Sequence, residues 1–158
     1  MDRYELIDSQ LESHKLWVQG KGGARLNLAH INLEGKDQLE ALNLSHANLA
    51  NSGLIGAHLA GTYLNEANLV GADLSNADLC GASLRKANLA GAWLRNADLR
   101  GCDLSLANLC NAYLAGADIA GANFTGALLL GVDFSEVDTR YAIGLPESIA
   151  RTEPPTVD

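Results

Sequence analysis

The side chains best suited to chemistry in this 158-residue chain recur in step. Asp78, Asp98 and Asp118 stand twenty residues apart, and Trp93 and Tyr113 repeat that interval with Arg95 alongside. Carboxylates at regular spacing can imitate the charge of a nucleic-acid backbone, whereas aromatics beside an arginine are enriched at protein interfaces. The histidines (His14, His30, His46 and His58) show no paired metal-ligand spacing. No Ser/His/Asp or Cys/His set converges, and neither a Gly-x-Gly-x-x-Gly nor a phosphate-loop motif occurs. The residues predict a binding protein, not an enzyme, with no cofactor and no metal.

What must position these groups is a five-residue rhythm. From 42 to 136 a leucine-class residue falls at every fifth place: Leu44, Leu49, and so on through Leu69, Leu89, Leu109, Ile119, Phe124 and Phe134. Two places earlier sits a small residue, as at Ala67, Ala87 and Ala107. Five residues of helix turn about 500°, which scatters successive leucines about 140° apart instead of lining one face. In a continuous strand an odd step would flip each leucine to the other side of the sheet. The chain must therefore bend at every repeat, so that each Ala–x–Leu pair faces a common axis. Such self-similarity predicts a solenoid.

The columns set the size of one coil. Asn48, Asn68, Asn88 and Asn108 recur at twenty, as do His58, Asp78, Asp98 and Asp118, and Gly61, Gly81, Gly101 and Gly121. Steps of ten or fifteen give no uniform column. Four short sides per coil fit best, with one extra residue near 35–38 that brings Asn27 under Asn48.

The repeat, as in Ala67-Asn68-Leu69-Val70-Gly71 and Ala72-Asp73-Leu74-Ser75-Asn76, resembles that of the pentapeptide repeat proteins. The resemblance covers about residues 24 to 140 and implies a right-handed quadrilateral β-helix, an all-β solenoid, with the central Leu and preceding Ala inward. Leu16-Trp17 before a Gly-rich joint, and the Tyr141 to Pro146 ending, are similar to those of bacterial and often cyanobacterial members. About 22 repeats, or about five and a half coils, would stack at ~4.8 Å into a rod roughly 26 Å long. We expect residues 1–23 to form an N-terminal helical cap and joint, 24–136 the β-helix, and 137–158 a C-terminal cap and loose tail. In the cap helix, Tyr4, Ile7, Leu11 and Val18 share one face and Trp17 packs at the seam. Phe124 and Phe134 widen the last coils, and Tyr141, Ile143, Leu145 and Ile149 are expected to fold over them.

Composition narrows the partner. Net charge is −8, and residues 42 to 136 carry eight acids against four bases, which argues against direct nucleic-acid binding. There is neither a secretory-signal pattern nor a membrane-length apolar run, and three cysteines are an odd count. A cytoplasmic protein follows as the expectation. Cys102 should point inward, leaving Cys80 or Cys110 as the only candidate redox thiols. Some members of the resembled family bind type II topoisomerases by imitating DNA, and they are more acidic along the rod. Here Arg85, Lys86, Arg95 and Arg100 interrupt the stripe.

The Asn column reads first as an amide ladder, although the strip beside it (Ala50, Val70, Ala90, Cys110, Leu130) could associate with a partner. Trp93 and Tyr113 read equally as a recognition patch or as a stacked pair that stabilises the sheet. The expected function is a scaffold presenting flat faces to a protein partner, centred on Trp93, Tyr113 and Arg95 with Asp78, Asp98 and Asp118 as further candidates. A DNA-mimic binder of a topoisomerase and a passive rod are the alternatives, and two copies could pair end to end or face to face.

Overall fold

In the computed structural model of the chain, residues 3–34 and 39–150 are described. The predicted bulge at 35–38 and the tail from 151 lie outside the described residues. Parallel bridges join four columns of outward residues, each three-residue flat side meeting its copy one coil away. Partners are twenty residues apart along most of the rod, as in Asn48 with Asn68 and Trp93 with Tyr113. They are twenty-one apart for Asn27 with Asn48 and Asn32 with Gly53, so one extra residue lies between 32 and 43.

Local chemistry explains the square section. At each corner the amide three residues past the central leucine donates back to it, as Ser52 does to the Leu49 carbonyl at 3.1 Å. From Ala41 to Gly131 the residue before that donor takes a positive φ, 54° at Asn51 and 63° at Gly71, which is the signature of a type II turn. Between corners, Leu49 donates to the Asn68 carbonyl (2.8 Å) and Asn68 to that of Ala47 (2.9 Å). Corners also hold His46, Glu66, Lys86 and Leu106 at φ near 60°. Each such side chain costs about 1–2 kcal/mol in that region, which the ladder on both sides of it offsets.

The β content of this solenoid is isolated bridges rather than extended strands, because each side ends in a turn before a second bridge pair can form. The one helix among the described residues is α1 (Arg3–Val18).

Inside the tube, Leu49, Leu69, Leu89 and Leu109 lie in successive coils with Ala67, Ala87 and Ala107 between them, all buried. Polar residues at inward positions are satisfied by backbone carbonyls, as buried groups must be. The Ser52 hydroxyl donates to Leu49 (2.7 Å), Thr62 to Leu39 (3.0 Å) and the Cys102 thiol to Leu79 (2.9 Å). Burial pushes the Cys102 thiol up to about 12. Phe124 and Phe134 meet edge to face at 6.2 Å.

Helix α1 docks through the expected face, with Ile7 buried and Leu11 packed against the core, while Tyr4 at its start stays 44% exposed and Val18 is half-buried. His14 is buried on the same face, its Nδ1 accepting a hydrogen bond from the Leu26 amide at 3.1 Å. Trp17 stacks on His14 (5.6 Å) and meets His46 edge-on (5.8 Å), which puts it at the seam. Burial first, then His46 nearby, holds the His14 imidazole below the usual histidine range, against the pull of the Ser45 backbone. The unfolded chain therefore binds this proton more tightly than the folded one. This contribution to stability is complete above about pH 6.5 and falls as pH drops below it, until the folded-state ring also protonates. We expect the thermal midpoint to drop between pH 7 and pH 5, a range in which solvent-exposed carboxylates stay ionised. A midpoint that holds constant over that interval would contradict the account.

At the other end the ladder runs past 136. Asn123 bridges to Ile143, and Val137 and Thr139 are buried at inward places of the same five-residue register. That register puts Tyr141 at a corner and Ile143 on an outward face, so both are exposed instead of folding over the core. Leu145 and Ile149 do pack against it, and the Thr139 hydroxyl donates to the Ile149 carbonyl at 3.2 Å.

Candidate functional site

The side of the rod holding Gly53, Asp73, Trp93 and Tyr113 gives the aromatic wall. The Trp93 amide donates to Ala72 (2.9 Å) and that of Leu94 to the Tyr113 carbonyl (2.8 Å), so the backbone places the two side chains one above the other. Their rings stack nearly parallel, 14° apart with centroids 4.3 Å apart, yet Trp93 is 42% and Tyr113 50% exposed. Beside them runs a groove of about 450 Å³, lined by Arg95, Asp133, Ser135 and Glu136 as well as the rings. Arg95 stands at the next corner, under Ala115 and Ser135, whose small side chains leave room for it. The rings brace each other, as the stacked-pair reading expected, and they border an open groove. Asp133 and Glu136 join the site through the coil above, at places whose role spacing alone did not show.

Asp78, Asp98 and Asp118 line up on the following wall, apart from the aromatic groove. Each Oδ1 accepts the amide two residues on: Cys80 at 3.0 Å, Arg100 at 3.1 Å and Ala120 at 3.1 Å. The Arg100 side chain grips Asp98 with Nε 2.9 and 3.1 Å from the two oxygens, and reaches Asp118 at 3.7 Å. Hydrogen bonding from Arg100 lowers the Asp98 carboxyl below its ordinary value. The row is thus a set of turn caps with a guanidinium laid across it, not an unbroken negative stripe.

The same turn explains the Asn column. Asn48, Asn68, Asn88 and Asn108 each accept the amide two residues ahead, at 3.4, 3.3, 3.2 and 3.0 Å. Amide side chains also bond to one another from Asn68 to Asn48 (3.1 Å) and from Asn48 to Asn27 (3.0 Å), the expected ladder. The preference for Asn or Asp before each leucine is therefore mainly an Asx turn, a short-range signal readable from residue type that column counting overlooked. Leu128 and Leu130 end this side as exposed apolar groups.

All three cysteines are unpaired, Cys102 buried and Cys80 and Cys110 half-buried. Among the described residues no group of three or more His, Cys, Asp and Glu is arranged to hold a metal ion.

The family described as pentapeptide repeats matches residues 43–79, 62–101 and 102–138, with 8 copies. A pentapeptide repeat protein from the Arabidopsis thaliana thylakoid lumen is 30% identical, with a TM-score of 0.60 over 73% of this chain and 74% of its own. HetL from the cyanobacterium Nostoc, a pentapeptide repeat protein involved in heterocyst differentiation regulation, is 31% identical over 81% of this chain, with a TM-score of 0.42. The chain spans 54% of HetL. QnrB1, a plasmid-mediated fluoroquinolone resistance protein, shares the fold at 20% identity, with a TM-score of 0.53 over 79% of this chain and 57% of its own. No curated protein matches the chain.

Proposed function

The chain belongs to the pentapeptide repeat family, and from that premise we propose that it is a non-enzymatic binding module whose aromatic wall engages a protein partner. The observation that carries the reading is the Trp93–Tyr113 pair, two large rings left about half exposed beside a groove that contains Arg95. Tryptophan, tyrosine and arginine are the residues that most often dominate interface energetics. The rings are braced by each other and by the ladder beneath, so little side-chain freedom would be lost on binding. A right-handed tube of about five and a half coils and a cytoplasmic setting belong to the same proposal, the latter resting on three unpaired thiols. DNA mimicry is the weaker reading, because Arg100 neutralises the middle of the aspartate row.

Partner recovery by tagged protein from the native cell tests the wall. Trp93→Ala and Tyr113→Ala are each expected to reduce recovery about tenfold or more, with circular dichroism unchanged. Full recovery by both folded variants would remove this wall from the interface.

A further inference from the structure

We propose that in the free protein the aromatic groove is covered by this chain's own segment 151–158, with Pro154 and Pro155 on the Trp93–Tyr113 rings and Glu153 against Arg95. The inference rests on the aromatic wall being the binding face and names what a partner must displace to reach it. Ala150, where the described residues stop, is tied in place. Its amide donates to the Pro146 carbonyl at 2.9 Å, and the neighbouring Ile149 carbonyl accepts the Thr139 hydroxyl at 3.2 Å. Ala150 and Ser135 border one hollow, and Ser135 also borders the groove of Trp93 and Tyr113. The eight residues from Arg151 to Asp158 therefore set out beside the groove.

Reach agrees with that occupant. Arg95, Ala115 and Ser135 share one corner column, so Arg95 stands two coils from Ser135, about 10 Å at the spacing of the ladder. Three extended residues cover about the same length, which brings Glu153 within reach of Arg95. Trp93 lies in the coil of Arg95 and Tyr113 in the next, where Pro154 and Pro155 would arrive. Chemistry agrees as well. Prolines dock into aromatic-lined grooves, and their fixed φ leaves little freedom to lose on binding. Trp93 and Tyr113 offer such a platform, with parallel rings 4.3 Å apart that are each about half exposed. Arg95 borders the groove and enters none of the ion pairs among the described residues, so its guanidinium is available to the Glu153 carboxylate. A short link holds the segment at an effective concentration on the order of millimolar, so contacts too weak to keep a separate peptide still fill the groove. A partner that needs the rings then binds with an apparent affinity reduced by the fraction of molecules whose groove is open.

The chain has two tryptophans, so in a Trp17→Phe background Trp93 is the only indole, and its quenching by acrylamide reports the cover. Replacing both prolines in the full chain, Pro154→Gly with Pro155→Gly, is expected to raise the quenching constant about twofold and partner recovery with it, at unchanged circular dichroism. Arg95→Glu should raise quenching too. Adding Glu153→Arg to it should bring quenching back down, which a local disturbance at position 95 would not do. Equal quenching with and without the prolines, or a charge swap that restores nothing, would overturn the assignment. If quenching is unchanged while Trp93→Ala still abolishes partner recovery, the segment is wrong and the wall stands. If the prolines shield Trp93 but Trp93→Ala leaves recovery intact, the cover stands and the wall is not the face the partner uses.

Discussion

Leu89→Ala is expected to lower the stability of the rod by about 3–5 kcal/mol. Leu89 is fully buried at mid-rod, with Leu69 and Leu109 in the adjoining coils and Ala87 and Ala92 beside it. The cost of such a truncation depends on how far the surroundings can close in, and here they cannot. The backbone on each side is pinned by ladder bonds, Leu89 to Asn108 at 2.7 Å and Asn88 to Ala67 at 2.9 Å, so the cavity stays open. In a stack where each coil meets only its neighbours, a hole at the centre also uncouples the two halves. Urea unfolding followed by circular dichroism should therefore show a lower midpoint and a broader transition. Leu129→Ala, at a half-buried place in the last coils, should cost about half as much. Equal losses at the two sites would mean that the interior is not the close-packed column described above.

Gly23→Ala should detach α1 from the tube. Gly23 has a φ of 81°, and a Cβ there would lie 2.1 Å from the Ser13 carbonyl oxygen and 3.1 Å from the Leu16 Cβ. The first contact is with the helix backbone, so relief requires the helix to move away. Movement would break the Ala24 amide's hydrogen bond to the Ser13 hydroxyl (2.9 Å) and pull His14 from the Leu26 amide. Gly22 is the control, because its φ is 89° but a Cβ there meets nothing within 4 Å. Gly22→Ala carries only the left-handed cost of about 1 kcal/mol, whereas Gly23→Ala adds the collision, for about 3 kcal/mol or more. A free helix of 16 residues is marginal in water. The expected readout is thus a loss of helical ellipticity in the Gly23 variant with the bridges retained. Matching spectra for the two variants would show that the helix is not held against Ser13.

Residue spacing was enough to read the tube. Leucine at every fifth place excludes a helix and a flat strand at once, and the twenty-residue columns return as backbone bridges, including Asn48 with Asn68 and Asp78 with Asp98. The extra residue between the first coil and the rest was legible for the same reason, since a slip of one moves every later column. Less was legible where identity and geometry interact. Trp93 and Tyr113 could be paired from their interval, but the groove beside them depends on Asp133 and Glu136 arriving from a later coil. The string showed bases interrupting the acidic row, but which carboxylate each base meets was decided by side-chain reach, as Arg100 folds back onto Asp98.

The ends show the same division. Periodicity predicted a capping helix and the face it buries, but not that the polar ring of His14 would be buried on that face as the acceptor of the Leu26 amide, nor that Tyr4 would stay exposed. Tyr141 and Ile143 looked apolar enough to plug the tube, and the continuing five-residue register turned them outward. A periodic sequence by itself determined the inward and outward places, because period is a property of the backbone. Only the tertiary structure decided which outward groups neutralise one another and which remain open, because those pairings run between coils and depend on distance and side-chain length.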